Sequence, residues 1–341
     1  MRSKFSSNRG KFQRLSQTRA VMKCRWMATA VIAGAALAIS CERRAAPPVT
    51  GTDASANASA IAEPRTLLSL PVSAYHATLA ADDDDAAFLL TPAAAYRLSS
   101  AGAPERTPLD LGAGAAMTRT SFLYWSRGAI VDSPRTPGEP RRVVAVAQPP
   151  QAIVAAGGRI AWLQRSADGR FSVQSLIGKS ARTAYASSGS IDAIAAMDDA
   201  IFFVERPAGS DWRIGRVPAD GGAAAFTPLR KGRAPAMLVA HRDLYYYDGN
   251  GHEVRRLSPD LQHERSLASG FVCSPIAVSA HVYCAQVEGL FELRADERPR
   301  RLVPGSLARV VTDLAATPKR LLWIVDAGAD KLEVRELALT R

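Results

Sequence analysis

Hydrophobic and polar residues alternate in short runs along most of this chain, and helical spacing is nearly absent after residue 65. Segments 77–90, 114–126, 152–164, 193–205, 237–248, 275–286 and 312–326 each read as two apolar stretches around a tight polar turn. The turns hold pairs such as Asp-Asp, Gly-Gly and Arg-Asp, which tolerate the positive φ of a sharp reversal. Each segment is therefore predicted to be a β-hairpin, its second strand centred on an aromatic or large apolar residue. Further strands are predicted at 170–177, 212–222, 253–260, 289–296 and 331–338, where apolar and charged residues alternate as on a strand with one exposed side. One stretch breaks the pattern. Residues 26–40 run 15 positions without a charge, short of the roughly 20 needed for a stable bilayer span.

The second strands recur about every 35 to 43 residues, the period of a propeller blade. Seven units of four antiparallel strands predict an all-β fold, a single β-propeller over residues 66–341. Six blades are the alternative, because the second unit is the least regular. The last unit ends after its third strand, and Arg65-Thr66-Leu67-Leu68-Ser69-Leu70-Pro71 precedes the first. This N-terminal stretch is expected to complete the last blade and close the ring, which leaves only short, protected edges. Leu244-Tyr245-Tyr246-Tyr247-Asp248, followed by Val254-Arg255-Arg256-Leu257 and Asp260, resembles the YWTD/NHL/TolB-like repeats of bacterial propellers. Phe122-Leu123-Tyr124-Trp125 and Leu322-Trp323-Ile324-Val325-Asp326 are partial matches. The resemblance implies an architecture and no particular ligand.

Charge changes the picture only at the N-terminus. The chain carries 43 Lys/Arg against 32 Asp/Glu, but eight of the basic residues and none of the acids fall in residues 1–40. The remainder is close to neutral, so no nucleic-acid partner is expected. A basic preface, an uncharged apolar run and small residues have the layout of an export signal, with Met22 as an alternative start of a more compact leader. Leu37-Ala38-Ile39-Ser40-Cys41 resembles the lipobox of bacterial lipoproteins, with Ala38 where that family usually has Leu. The resemblance implies cleavage before Cys41 and acylation of its sulfur; the alternative is cleavage after Ala38 and a soluble secreted chain. Acyl chains buried at about 0.8 kcal/mol per methylene would hold such an anchor firmly. Residues 41–65, rich in Ala, Pro, Ser and Thr, then read as a flexible tether. Glu42 is not the Asp of the inner-membrane retention signal, which tilts the expected location toward the outer membrane.

Cys24 leaves with the leader and Cys41 takes lipid, so Cys273 and Cys284 remain as a pair in an oxidising compartment. Strands at 272–278 and 282–287 around a turn at 279–281 place them nearly opposite, within reach of a disulfide; two free buried thiols are the alternative. The five histidines, His76, His241, His252, His263 and His281, fall in different units without metal-ligand spacing, and no nucleotide or hydrolase motif is present. No cofactor or metal is expected. Asp82, Asp83, Asp84 and Asp85 are read as a solvated turn rather than a calcium loop, because they lack the spaced ligands and turn glycine of one. Tyr124, Trp125, Trp162, Phe202, Phe203, Tyr245 and Tyr246 occupy equivalent strand positions, which favours packing between blades over a stacking platform. Loops 165–170, 206–212 and 248–252 vary most, and variable loops on a rigid scaffold are where binding sites sit. Candidate binding residues are Arg165, Arg206, Asp211, Trp212, Asn250 and His252. The sum is a membrane-tethered binding or scaffold module of the bacterial envelope, its partner a protein or envelope glycan. A lyase or hydrolase with its site at the channel mouth is the rival.

Overall fold

The computed structural model describes residues 63–339 except 100, 112, 137, 157, 208–210, 271 and 306–309. The leader, Cys41 and the tether up to residue 62 lie outside the described residues. Every sheet has four antiparallel strands, and there are seven of them. Strand β1 (Arg65–Leu70) belongs to the last blade. Blade 1 is β2 (Thr78–Ala81), β3 (Ala87–Thr91), β4 (Ala94–Arg97) and β5 (Glu105–Pro108); blade 2 is β6 (Ala113–Met117), β7 (Ser121–Ser126), β8 (Ala129–Pro134) and β9 (Arg141–Ala145). Blade 3 is β10 (Ala152–Ala156), β11 (Arg159–Arg165), β12 (Phe171–Ile177) and β13 (Ser180–Ala186); blade 4 is β14 (Ser190–Met197), β15 (Ala200–Arg206), β16 (Arg213–Pro218) and β17 (Ala225–Phe226). Blade 5 is β18 (Val239–Ala240), β19 (Leu244–Asp248), β20 (Glu253–Leu257) and β21 (Glu264–Ser269). Blade 6 is β22 (Ile276–Val278), β23 (Val282–Gln286), β24 (Gly289–Leu293) and β25 (Arg300–Pro304). Blade 7 is β26 (Val311–Ala316), β27 (Arg320–Asp326) and β28 (Leu332–Ala338), with β1 outermost. The fold is a seven-bladed β-propeller, and the irregular second unit is a full blade.

The alternation of apolar residues along each second strand has a specific destination. Ile201 and Phe203 of β15 enter the seam with blade 3, while Phe202 and Val204 enter the seam with blade 5. In β27, Leu321, Trp323 and Val325 face blade 6, and Leu322 and Ile324 face blade 1. Successive side chains of a strand point to opposite faces of its sheet, so one run of large residues serves two seams. The hydrophobic core is accordingly seven clusters, one per seam. Aromatics meet across the seams: Phe88 edge-on to Phe122 at 4.9 Å, Tyr185 stacked on Phe203 at 4.6 Å, Trp212 edge-on to Tyr246 at 6.0 Å.

Ring closure follows the expectation. β1 pairs with β28, Arg65 opposite Glu336 and Leu70 opposite Leu332, so the two ends of the domain share blade 7. The outer edges are protected by charge: Arg106, Arg141, Arg142, Arg182, Arg265, Arg300, Arg301 and Arg65 lie on outermost strands, and the one without arginine, β17, has two residues. Among the described residues no helix is long and apolar enough to cross a membrane.

Cys273 and Cys284 form a disulfide, with a Cα–Cα distance of 5.6 Å. The hairpin around them differs from the expectation in one respect. The first strand begins at Ile276 rather than near residue 272, and Ile276, not Cys273, is the register partner of Cys284. Pro275 has no N–H to continue the ladder. Cys273 therefore meets Cys284 from a connecting segment, which Ser274 N–H donating to Ala285 O and Ala285 N–H donating to Pro275 O hold in place, both at 3.1 Å.

Candidate functional site

Blade connectivity divides the ring into two faces. One carries the turns between first and second strands, among them 82–86, 198–199, 241–243 and 279–281; it is called the hairpin face below. The other, the loop face, carries the connections between second and third strands and the links between blades. The innermost strands β2, β6, β10, β14, β18, β22 and β26 enclose an axial channel of about 430 Å³. Its walls are small and apolar, with Ala80, Ala116, Val154, Ala195 and Ala277 typical of the lining, and Thr78 is the one lining residue with a polar side chain. Each innermost strand is a sheet edge, so its unpaired backbone groups supply the remaining polarity of the wall. Beside the lining, Asp313 of β26 accepts N–H bonds from Leu79 of blade 1 at 2.7 Å and from Leu314 at 2.9 Å. Burial pushes its carboxyl up to about 6 in spite of those two bonds.

On the hairpin face the aspartate run is a turn, as expected, but not merely a solvated one. Asp82 pairs with Arg135 of blade 2 at 2.6 Å, and Asp84 with Arg119 at 2.9 Å. Asp85 accepts a hydrogen bond from Thr317 and lies 3.4 Å from Arg320, both of blade 7. Three carboxylates thus tie blade 1 to both neighbours, and no group of metal-ligating residues is assembled among the described residues. The aromatics have the packing role: Tyr124, Trp162, Phe202, Phe203, Tyr245 and Tyr246 are buried in seams, and Trp125 donates from Nε1 to Val146 O at 2.8 Å.

The six candidate binding residues all belong to the loop face, at different depths and on three blades. Arg165 lies over the ring of Phe171 at 5.5 Å. Arg206 is paired with Asp192 at 2.6 Å. Asp211 is partly exposed, and Trp212 beside it is fully buried against Tyr246, so the indole anchors a seam and presents nothing to solvent. His252, at a φ of 49°, is exposed with Nδ1 at 2.9 Å from the Tyr247 hydroxyl. Asn250 organises the link 227–238 between blades 4 and 5. Its Oδ1 accepts from Arg233 N–H at 3.0 Å, and its Nδ2 donates to Lys231 O at 3.1 Å and Arg233 O at 3.3 Å. Gly232 must be glycine here: its φ is +93°, and a Cβ would come within 2.2 Å of Asn250 Oδ1.

The same link has a second clasp. Arg230 donates to the Tyr246 hydroxyl and to Glu264, both at 2.6 Å, and Trp212 and Arg230 exchange two backbone hydrogen bonds of 2.8 Å. Burial pushes the Glu264 carboxyl up, but the hydrogen bonds from Arg230 and Tyr246 outweigh it and leave the group below the usual carboxylate range. The link is thereby tied to blade 4 through Trp212 and to blade 5 through Tyr246, Asn250 and Glu264.

Sequence reasoning missed the apolar residues exposed on this face. Val287 is 92% exposed, and Tyr75, Leu229, Val272 and Val310 are each more than half exposed. Their positions outside strands, Val287 between Gln286 and Glu288 in a turn, were the available signal.

No protein-family model matches the chain, and no curated protein matches it. Solved structures do resemble it. The extracellular domain of a hybrid two-component system from B. thetaiotaomicron is similar with a TM-score of 0.56 at 8% identity, over 80% of this chain and 39% of that one. The chain thus spans well under half the length of that relative. Oligogalacturonate lyase from Vibrio parahaemolyticus is similar with a TM-score of 0.58 at 9% identity, over 83% of this chain and 95% of the lyase. The Cps50 (Swd1) β-propeller domain from Myceliophteria thermophila reaches 0.58 at 10% identity, over 82% and 100% of the two chains. At such identities the likeness speaks for the fold alone, and the fold it supports is the propeller.

Proposed function

We propose that this chain is an exported bacterial lipoprotein, acylated on Cys41, whose propeller is a binding or scaffold module for a protein or envelope glycan. The export layout of residues 1–40 and the lipobox-like Leu37-Ala38-Ile39-Ser40-Cys41 support the anchor. The outer membrane is the expected site, because Glu42 departs from the retention signal. The observation that carries the binding role is the contrast between channel and loop face. The residues lining the channel offer no carboxylate, imidazole or amine to act as acid, base or nucleophile. The loop face holds a rigid link pinned by Asn250 and Arg230, and exposed apolar side chains stand on the same face. Rigid scaffolds with exposed apolar groups on one side are built to be covered.

The test is the intact mass of the protein extracted from envelopes with detergent. The expected result is a chain beginning at Cys41, carrying added acyl groups and two hydrogens lighter than its fully reduced form. An unmodified chain beginning at Ile39 would remove the anchor and leave a secreted propeller.

A further inference from the structure

We infer that the loop face of blades 5, 6, 7 and 1 docks a protein partner through an apolar segment flanked by acidic residues, an inference that rests on the binding-module reading above. Leu229 precedes blade 5, Val272 precedes blade 6, Val287 is in the turn between the second and third strands of blade 6, Val310 precedes blade 7, and Tyr75 precedes blade 1. All five belong to one face and to four consecutive blades. No exposed large hydrophobic of the described residues lies on the hairpin face, where the turns carry Asp82, Asp84, Arg119, Asp198, Arg242 and Lys319. Single exposed apolar residues are ordinary on a protein surface, but the placement of all five on one face singles that face out for a partner.

The charge at one end of this arc specifies the partner. Lys231 and Arg233 are exposed two and four residues beyond Leu229. The clasps of Asn250 and Arg230 fix the backbone that carries them, so little ordering entropy is lost on docking. Acidic residues beside an apolar segment complement that end.

Two other occupants fit less well. A bilayer surface is met by clusters of roughly four to eight basic residues and by Trp or Tyr anchors, whereas this arc has three valines, a leucine and a single tyrosine. The chain also enters the ring from the far side: Arg65, at the start of β1, pairs with Glu336 toward the hairpin face, and Leu70 ends β1 at the loop face. A second copy would bring the same basic end to both sides of an isologous contact.

The experiment places the photo-cross-linker p-benzoylphenylalanine at Val287, at Val272 and, on the hairpin face, at Ala280 of the full-length chain in its own cells. Adducts with one protein are expected from Val287 and Val272 and not from Ala280, mapped to an apolar segment with Asp or Glu beside it. Lys231→Glu with Arg233→Glu is expected to lower the adduct yield about tenfold, the effect of turning two rim attractions into repulsions. Reversing the mapped acids should restore it. Both substituted residues are exposed, and an unchanged thermal midpoint checks that the double variant is folded. Adducts of twice the chain mass, adducts with lipid alone, or a yield indifferent to the charge reversal would overturn the inference. A protein adduct from Ala280 alone would overturn it while keeping the binding-module reading; no protein adduct from any position would remove both.

Discussion

Asp313 is bonded across two innermost strands, accepting from Leu79 N–H, and its chemistry sets a pH dependence. Burial keeps the proton on Asp313 in the folded protein up to about pH 6, above the usual 3.8 of an aspartate. Between those limits the folded state binds more protons than the unfolded state, so this group's contribution to stability falls as pH rises and levels off above 6. A displacement of this size corresponds to at most about 3 kcal/mol. Asp313→Asn removes the titration, and the stability of the natural protein relative to the variant is expected to decline by up to that amount between pH 4 and pH 7. Urea midpoints of both proteins across this range measure it; parallel profiles would show that Asp313 titrates normally. The residue was visible in the sequence as a lone acid in Val311-Thr312-Asp313-Leu314-Ala315-Ala316. Its role was not visible, because the N–H it accepts belongs to Leu79, 234 positions away. The ion pairs of the aspartate turn were hidden for the same reason: Arg135 and Arg320 are distant in sequence and adjacent only once the ring forms.

At the scale of single elements, the hairpins were legible because the period of two and the turn residues are local signals. Tyr245, Tyr246 and Tyr247 alternate between two seams within one strand, and that alternation is written in consecutive letters. Blade 6 shows where local reading stops. Pro275 shortens the first strand, yet the Cys273–Cys284 bond forms from the connecting segment instead. The cross-link closes a loop of sequence separation 11, for which restriction of the unfolded chain gives about 3 kcal/mol. Cys273→Ala and Cys284→Ala are each expected to cost about that much, measured as urea midpoints under oxidising conditions. The double variant should be little worse than either single one, because the cross-link is lost only once. Additive losses would place the effect in packing, since both cysteines are fully buried.

At the scale of the whole molecule, the architecture could be read and the distribution of exposed apolar residues around the ring could not. Repeat period and strand pattern specify blades, and blades specify a ring. Which residues share a face depends on connectivity around that ring, so variable polar loops drew attention to blades 3, 4 and 5 while the exposed apolar residues run from blade 5 to blade 1. Trp212 illustrates the error: an aromatic in a loop, it turns inward to Tyr246. Closure is the property that belongs to no single element. β1 covers the edge of β28 and sets Leu67, Leu68 and Leu70 against the seam of blades 7 and 1. Three partly buried leucines at about 1–2 kcal/mol each imply that removing residues 1–71 costs roughly 3–6 kcal/mol. It also bares a seven-residue strand, Leu332–Ala338, to pairing with other chains. The shortened chain is therefore expected to unfold at lower urea and to self-associate in sedimentation. The peptide Arg65-Thr66-Leu67-Leu68-Ser69-Leu70-Pro71 added in excess should reverse both effects by refilling the edge. A shortened chain that stays monomeric and keeps its midpoint would mean that the seam holds through Arg320, Asp85 and Glu336 without the closing strand.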